Sequence, residues 1–266
     1  MYDIIIIGAG IAGMTAGIYA SRAGKTVLIL EGKMHGGQII NTSVIENWPG
    51  DYGVSGPDLM NKVYNQAIEL GVKIEYEEVL EITRKPEYAT TEDAADEIRQ
   101  LWSIKTDDGD YSAKAVIIAT GTEPRKLSKK QAEEAGERPI SYCATCDGAF
   151  YKGKPVVVIG SGNTAKHEIK YLEGIASEVL HIHHDDPIPE QAEAIFVAIG
   201  RIPTTAVFKN LVDLDANGYI VAKEDCKTST PGLFVAGDCR TKTIRQLITA
   251  AADGATAAEA AIDFLA

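Results

Sequence analysis

The sequence has few cysteines, no long apolar run and fewer basic than acidic residues. Four cysteines in 266 residues are too few for the disulfide framework of a small secreted domain. No stretch approaches the roughly 18 consecutive apolar residues that a membrane-spanning helix needs. The chain enters an apolar strand at once, without the charged leader of a secretory signal, so we expect a cytoplasmic protein.

The charge balance and the composition exclude further classes of protein. Lysine and arginine number 26 and aspartate and glutamate 38, which gives a formal net charge of −12. Such a chain repels nucleic acid and acidic membranes unless one face is locally basic. Hydrophobic residues make up 45% of the chain. This share is enough for a packed core, so a mostly disordered protein is also excluded.

A G-x-G-x-x-G motif follows an apolar run at residues 4–7, which predicts a buried parallel strand. Gly8 permits the tight turn, Gly10 lets the backbone approach a pyrophosphate, and Gly13 lets the following helix pack on the strand. That helix presents its first N–H groups to the phosphates. The next strand ends at Glu31, an acceptor for an adenosine ribose. The pattern predicts dinucleotide binding, and a strand-to-helix turn without a ligand is the alternative.

A second pattern of strand, glycine-rich turn and helix lies in the middle of the chain, with its strand at residues 155–159 and its turn at residues 160–165. A complete dinucleotide-binding domain has two βαβ halves, each of roughly 30 residues. After the next strand, at residues 178–183, only a short segment at residues 185–193 precedes another strand, and it contains two prolines. This segment is too short for a crossover helix. The second half of the domain is therefore predicted to be absent.

Two of the cysteines form a C-x-x-C motif, Cys143 and Cys146, between the two glycine-rich turns. This spacing in an α/β protein indicates redox chemistry or metal binding. At a helix N-terminus it lowers the pKa of one thiol and makes that thiol a nucleophile. A zinc site needs four ligands, and Cys226 and Cys239 do not form a second such motif. We therefore favour a redox pair and expect no metal, with zinc as the alternative.

The order of these patterns predicts an α/β protein with a split architecture. A strand followed by Gly237-Asp238 returns near the C-terminus, ahead of an alanine-rich helix that starts at about residue 245. We expect residues 1–121 and 202–266 to form one discontinuous domain and residues 122–201 to form a second, inserted domain. The acidic, polar residues 86–98 are interpreted as a surface insertion or short helix without chemistry.

Taken together, the motifs resemble those of the low-molecular-weight thioredoxin reductases. The matching segments, in family order, are residues 8–13, Gly36-Gly37-Gln38, Glu46-Asn47-Trp48-Pro49-Gly50, Ala119-Thr120-Gly121, Cys143-Ala144-Thr145-Cys146-Asp147-Gly148, residues 196–200, Ala236-Gly237-Asp238 and Arg245-Gln246. The resemblance implies a two-domain flavoprotein disulfide reductase, with a Rossmann-like FAD domain and an inserted, truncated nucleotide-binding-like domain. It also implies thioredoxin as the substrate and a homodimer.

The same resemblance implies roles for individual residues. It makes Cys146 the partner of the flavin, Cys143 the thiol that attacks the disulfide of a protein substrate, and Asp147 the general acid or base. The residues that it assigns to FAD are Gly8, Gly10, Ile11, Ala12, Gly13, Glu31, Gly37, Gln38, Asn47, Thr120, Gly121, Gly237, Asp238, Arg245, Gln246 and Leu247.

The chain departs from the family pattern at the end of the second strand of the inserted domain. Family members that use NADPH carry His-Arg-Arg there, and those arginines grip the 2′-phosphate. This chain has His184 and Asp185 at the arginine positions, followed by Asp186. Two carboxylates repel a phosphate by about 1–3 kcal/mol at an effective dielectric constant near 20. NADPH is therefore predicted to be a poor reductant of this protein.

The shortened domain is similar to that of clostridial-type ferredoxin-dependent flavin thioredoxin reductases, so we expect reduced ferredoxin as the electron donor. Residues 123–170 carry nine basic and six acidic residues in an otherwise acidic chain, which suggests a docking surface for an acidic ferredoxin. Three alternatives stay open. They are an NADPH-dependent thioredoxin reductase, a disulfide reductase with another donor or substrate, and a flavin-bound redox sensor.

Overall fold

The computed structural model describes residues 1–32, 35–87 and 99–266. It divides the chain into two compact units, Met1–Thr122 with Pro203–Ala266, and Glu123–Ile202. The helices are α1 Ile11–Arg22, α2 Gly56–Glu69, α3 Lys129–Ala135, α4 Ala144–Asp147, α5 Asn163–Leu172 and α6 Leu247–Phe264. The strands are β1 Tyr2–Ile7, β2 Val27–Leu30, β3 Lys73–Glu75, β4 Val79–Glu87, β5 Arg99–Thr106, β6 Asp110–Ile118, β7 Thr122–Pro124, β8 Ile140–Ser141, β9 Pro155–Ile159, β10 Glu178–Ile182, β11 Ala194–Val197, β12 Arg201–Pro203 and β13 Leu233–Val235.

The larger unit is built on a seven-stranded sheet in the order β3-β2-β1-β6-β5-β4, with β13 also paired to β6. β1 runs parallel to β2 and β6, whereas β5 is antiparallel to β4 and β6. Alternate residues of β1 enter two different clusters: Ile4 and Ile6 pack with α1 and α6, and Ile5 and Ile7 pack on the opposite face. Because both faces are covered, the strand is apolar throughout.

The smaller unit has a four-stranded parallel sheet in the order β10-β9-β11-β8. α5 connects β9 to β10, so the first βαβ half is present. Residues 183–193, all of them described, contain turns and bends but no helix or strand. The predicted absence of a crossover helix is confirmed, because the chain returns directly from β10 to β11. β7 and β12 pair with each other where the chain enters and leaves this unit.

Several elements differ from the sequence prediction. The prediction of a strand at residues 219–221 is wrong, since Ile220 makes only isolated bridges to Leu214 and Arg240. α6 begins at Leu247, two residues later than expected, because the Gln246 N–H donates to Thr249 Oγ1 at 3.1 Å and caps the helix. β8 and α3 were not predicted. The prediction for residues 86–98 falls on the end of β4 and otherwise outside the described residues.

Among the described residues, none of the helices combines the length and hydropathy that crossing a membrane requires.

Candidate active site and nucleotide-binding turns

The first glycine-rich turn joins β1 to α1. Gly8 has a φ of +108°, and a Cβ atom there would lie 2.4 Å from the carbonyl oxygen of Ala119. A Cβ at Gly13 would lie 1.9 Å from the carbonyl oxygen of Gly8, so the helix can approach the turn only without a side chain. A Cβ at Gly10 would have no described atom within 4 Å. The packing of the chain thus requires glycine at two positions and leaves an open backbone surface at the third.

Glu31 lies directly beside this turn. The backbone N–H of Ala9 donates to Glu31 Oε2 at 2.8 Å, and the N–H of Glu31 donates to the carbonyl oxygen of Glu75 at 3.0 Å. Gly10 caps α1 without a side chain, so the first turn of the helix presents its backbone N–H groups outward. An open glycine, a helix N-terminus and an adjacent carboxylate fit the pyrophosphate and adenosine ribose of a dinucleotide.

The loop that carries Gly37 and Gln38 packs on the turn. The N–H of Gly36 donates to the carbonyl oxygen of Ala9 at 2.8 Å, and a Cβ at Gly37 would lie 3.4 Å from Gly10 Cα. The side-chain amide of Gln38 donates to the carbonyl oxygen of Thr122. Gly37 therefore lies against the first turn, and Gln38 is held at Thr122.

The remaining residues assigned to FAD lie in the same unit. Asn47 Nδ2 donates to Gln246 Oε1 at 3.2 Å, which joins two segments that are 199 residues apart. The Thr120 hydroxyl donates to the carbonyl oxygen of Thr204 at 2.6 Å, and the Gly121 carbonyl oxygen accepts from the N–H of Thr204 at 3.1 Å. Thr120 and Gly121 therefore help to hold the segment after β6 against the segment after β12.

Gly237 and Asp238 form a short turn against α1, since a Cβ at Gly237 would lie 3.0 Å from the Cβ atom of Ala12. Arg245 Nε donates to the carbonyl oxygen of Asp238 at 3.3 Å, and the Arg245 guanidinium lies 4.1 Å from the centre of the Tyr219 ring. The turn is thus held by α1 on one side and by the segment before α6 on the other.

Sequence reasoning missed a buried ion network that fixes this turn. Asp253 on α6 accepts from the N–H of Gly237 at 3.0 Å, from Arg240 at 2.7 and 2.9 Å, and from Lys242 at 2.7 Å. Burial acts to raise the pKa of Asp253, but the hydrogen bonds from the two cations outweigh it and hold that pKa below its usual value. The available signal was a single acid on the otherwise alanine-rich inner face of α6.

Cys143 and Cys146 form a disulfide at the start of α4, with their Cα atoms 5.3 Å apart. The backbone N–H groups of Cys146 and Asp147 both donate to the carbonyl oxygen of Cys143 at 3.1 Å. Ser141 Oγ accepts from the N–H of Cys143 at 3.1 Å and donates to Asp147 Oδ2 at 2.6 Å. The serine, missed by sequence reasoning, holds the carboxylate of Asp147 beside the disulfide.

The other two cysteines are buried thiols of low reactivity. Cys226 and Cys239 are free and fully buried, and burial raises the pKa of the first to about 12 and of the second to about 11. A thiol that stays protonated at neutral pH is a poor nucleophile. Within the described part of the chain, no three histidine, cysteine or acidic side chains are grouped so that they could hold a metal ion.

The second glycine-rich turn repeats the geometry of the first at a different site. Gly160 has a φ of +143°, and a Cβ there would lie 2.3 Å from the carbonyl oxygen of Ala198. A cleft of about 640 Å³ opens at this turn. It is lined by Arg125, Lys126, Gly160, Ser161, Gly162, Thr164, His184, Ala198, Ile199, Gly200 and Ile202.

At the end of β10 the acidic residues form a tight turn. His183 donates its N–H to Asp186 Oδ2 at 2.9 Å, and His184 Nδ1 lies 2.9 Å from Asp185 Oδ2. Asp185 has a φ of +76°, a conformation that aspartate tolerates better than most residues. Among the residues of this turn, His184 lines the cleft. The positive charge there comes instead from Arg125 and Lys126, which the sequence analysis did not connect with the turn.

Comparison with known proteins identifies the family. The sequence matches the pyridine nucleotide-disulphide oxidoreductase family over residues 2–191 and 185–254. It is 34% identical to thioredoxin reductases of Listeria monocytogenes and Bacillus subtilis, over 97% of this chain and 92% and 93% of theirs. The chain belongs to the thioredoxin reductase family. A crystal structure of thioredoxin reductase from Streptococcus pyogenes superimposes with a TM-score of 0.86 at 32% identity, covering 100% of this chain and 98% of the other.

These comparisons confirm the predicted fold, a two-domain flavoprotein disulfide reductase with a Rossmann-like sheet. Thioredoxin reductases are FAD flavoproteins, so FAD is the cofactor, and the open backbone at Gly10 beside Glu31 fits it. The alignments to the two relatives span 307 positions. This chain has 266 residues, so many of those positions are gaps in it. The two matched stretches of the family meet at residues 185–191, where β10 returns to β11.

Proposed function

We propose that this thioredoxin reductase draws its electrons from reduced ferredoxin and not from NADPH. The observation that carries the proposal is the turn at residues 183–193, which replaces both the phosphate-binding arginines and the second half of a dinucleotide domain. The disulfide chemistry itself follows from the family and from the pair at Cys143 and Cys146.

In the proposed reaction the reduced pair gives two electrons to thioredoxin. One of the two protons comes from the Cys146 thiol, and the other is the proton that leaves Cys143 when its thiolate forms. The Cys143 thiolate attacks one sulfur of the thioredoxin disulfide, which forms a mixed disulfide and releases the other sulfur as a thiolate that takes a proton. Cys146 then attacks Cys143, which restores the internal disulfide and frees the dithiol of thioredoxin. Asp147, held by Ser141, is placed to donate and accept these protons.

FAD, when bound, accepts electrons singly and supplies the two that reopen the Cys143–Cys146 disulfide. We propose that the residues around the first turn hold it, with Gly10 and the N-terminus of α1 at the pyrophosphate and Glu31 at the adenosine ribose. Gly37, Gln38 and Asn47 are proposed at its flavin end. Gly237 and Asp238, with the segment 245–247, complete the proposed site, and Asp253 keeps the turn before it in place.

A poor fit to NADPH supports the choice of donor. The 2′-phosphate of NADPH needs paired donors of the kind that arginine offers. This chain has His184 and Asp185 at the sequence positions of those donors, followed by Asp186. The missing second βαβ half removes the part of a dinucleotide domain that holds the nicotinamide end.

An NADPH-dependent reductase is the second candidate, and the cleft at Gly160 favours it. The cleft retains the glycine turn, the N-terminus of α5 and two cations, Arg125 and Lys126. These groups suit a phosphate. They do not by themselves supply a site for the nicotinamide ring, which must reach the flavin for hydride transfer.

A basic face offers a docking surface for ferredoxin in the proposed reaction. Lys126, Lys129 and Lys130 are exposed on and before α3, and Lys130 lies 3.7 Å from Glu134 in a weak surface pair. Ferredoxins are acidic, and attraction to such a patch speeds encounter when the rest of a protein is negative. We further propose a cytoplasmic homodimer, as the family resemblance implies.

An anaerobic comparison of donors tests the proposal. The yellow holoprotein is mixed with NADPH or with reduced ferredoxin, and the flavin absorbance and thioredoxin reduction are followed. Bleaching and turnover with ferredoxin alone are expected. Rapid bleaching by NADPH would contradict the choice of donor. The variant Cys143→Ser controls the chemistry, since it should keep its flavin and lose all thioredoxin reduction.

A further inference from the structure

A buried glutamate that the proposed reaction does not use lies on the helix that packs against α4. Glu168 is on α5, at the middle of the inner-face series Ala165, Glu168 and Leu172, and only 6% of its surface is exposed. α5 packs against α4, the short helix that begins between the two cysteines. A carboxylic acid in the position of a core residue is costly unless it has a partner or stays protonated.

The surroundings of Glu168 shift its pKa in opposite directions. Burial favours the neutral acid, while the backbone N–H of Ala144 and the positive charge of Arg201 favour the carboxylate. The negative charge of Asp147 acts with burial. Glu168 Oε2 has no hydrogen-bond partner among the described residues. The result is a pKa of about 7 for Glu168, so its charge changes in the range where a cytoplasmic enzyme works.

The packing of α5 against α4 connects this charge to the cysteines. Ala144 is the first residue of α4, and backbone N–H groups at a helix N-terminus stabilise a neighbouring thiolate. An ionised Glu168 places a negative charge against one of those groups and so opposes a thiolate. A protonated Glu168 does not.

We propose that Glu168 is a positioning residue that sets the balance between thiol and thiolate in the reduced Cys143–Cys146 pair through the start of α4. Opening the disulfide takes up two electrons and, when both sulfurs end as thiols, two protons. A thiolate at either sulfur favours retention of the proton on Glu168, and an ionised Glu168 favours retention of the proton on sulfur. This inference rests on the redox role of the pair but not on the identity of the electron donor.

The proposal is tested without ferredoxin, NADPH or thioredoxin. The full-length holoprotein is reduced anaerobically with dithiothreitol, the reagent is removed, and alkylation of Cys143 and Cys146 by iodoacetamide is followed by mass spectrometry as pH is varied. In Glu168→Gln the midpoint of the alkylation profile should fall by about 0.5–1 pH unit, because the opposing charge is gone. Glu173→Gln, at the exposed end of α5, removes an equal charge and should leave the midpoint unchanged.

A purely structural glutamate would leave the midpoint in place, so equal midpoints in wild type and Glu168→Gln would overturn the proposal. The wild-type profile gives a second test that does not depend on folding of the variant. Two coupled groups titrate over a wider pH range than one, so a broad profile is expected. A profile that fits a single ionisation would also contradict the proposal. Failure of the ferredoxin assay alone would leave both results unchanged.

Discussion

The two glycine-rich turns of this chain have the same backbone form and different surroundings. At Gly8 and at Gly160 φ is positive, and an added Cβ would strike a carbonyl oxygen of the neighbouring strand end, that of Ala119 or Ala198. Beside the first turn, Glu31 accepts from the N–H of Ala9. The strand that follows the second turn ends instead in paired histidine and aspartate residues.

This contrast separates what the fold requires from what a ligand requires. The glycines at positions 8 and 160 are needed because a helix and a strand pack closely there, whether or not a nucleotide binds. Recognition depends on the side chains at the end of the next strand, which packing leaves free to change. A glycine motif alone therefore indicates the turn, and the strand end indicates the ligand.

The largest expected effect comes from substitution of one of the two open glycines, with substitution of the other as the comparison. Gly10 and Gly162 have φ values of −73° and −82°, which suit any residue, and neither has a described atom within 4 Å of an added Cβ. Gly10→Val should lower FAD affinity by about 100-fold or more, since the side chain fills the place of the pyrophosphate. Gly162→Val should leave FAD affinity and ferredoxin-driven turnover unchanged. Flavin retention during gel filtration measures the first, and equal loss in both variants would contradict the comparison.

Removal of the charge beneath the Gly237 turn should have the next largest effect. Asp253→Asn leaves Arg240 and Lys242 buried, with only 3% and 5% of their side chains exposed, and without their counter-charge. Loss of one partner of a buried pair costs about 3–5 kcal/mol. Urea unfolding of the larger unit should show this loss together with weaker FAD binding. Glu259→Gln, exposed on the same helix, is the control, and equal stability of the two variants would argue against the network.

A smaller effect is expected when the arginines are restored at the second strand end. The double variant His184→Arg, Asp185→Arg should raise the preference for 2′-phospho-AMP over AMP by about 10-fold, as two cations replace a histidine and a carboxylate. The flavin should still not be bleached by NADPH, because the second half of the domain is missing. Fast bleaching in this variant would show that the arginines alone decide the donor.

The smallest effect concerns the basic face. Reversing the charges of Lys126, Lys129 and Lys130 to glutamate should slow ferredoxin-driven turnover by about 3- to 10-fold at low salt and flatten its dependence on ionic strength. Flavin content and reduction by dithionite should not change. Unaltered salt dependence would show that ferredoxin does not dock on this face.

The sequence indicated the parts of the site that follow a recognised motif and missed the pairings that follow none. Both glycine turns and the cysteine pair depend on residues close together in the chain, and Glu31 was found because its spacing from the first glycine belongs to the dinucleotide-binding pattern. The ion network of Asp253 and the contact between Asn47 and Gln246 depend on pairings across 11 to 199 residues. Glu168 was missed for a different reason, because its place in an apolar helical pattern shows its burial but not what it faces.

One binding measurement tests the comparison most directly. The oxidised full-length holoprotein is titrated with NADP⁺ by isothermal calorimetry, which needs no electron transfer and no partner protein. We predict no saturable binding up to about 1 mM, which corresponds to a binding free energy weaker than about −4 kcal/mol. Saturation in the low micromolar range would show that the second turn still binds the dinucleotide and would contradict the account.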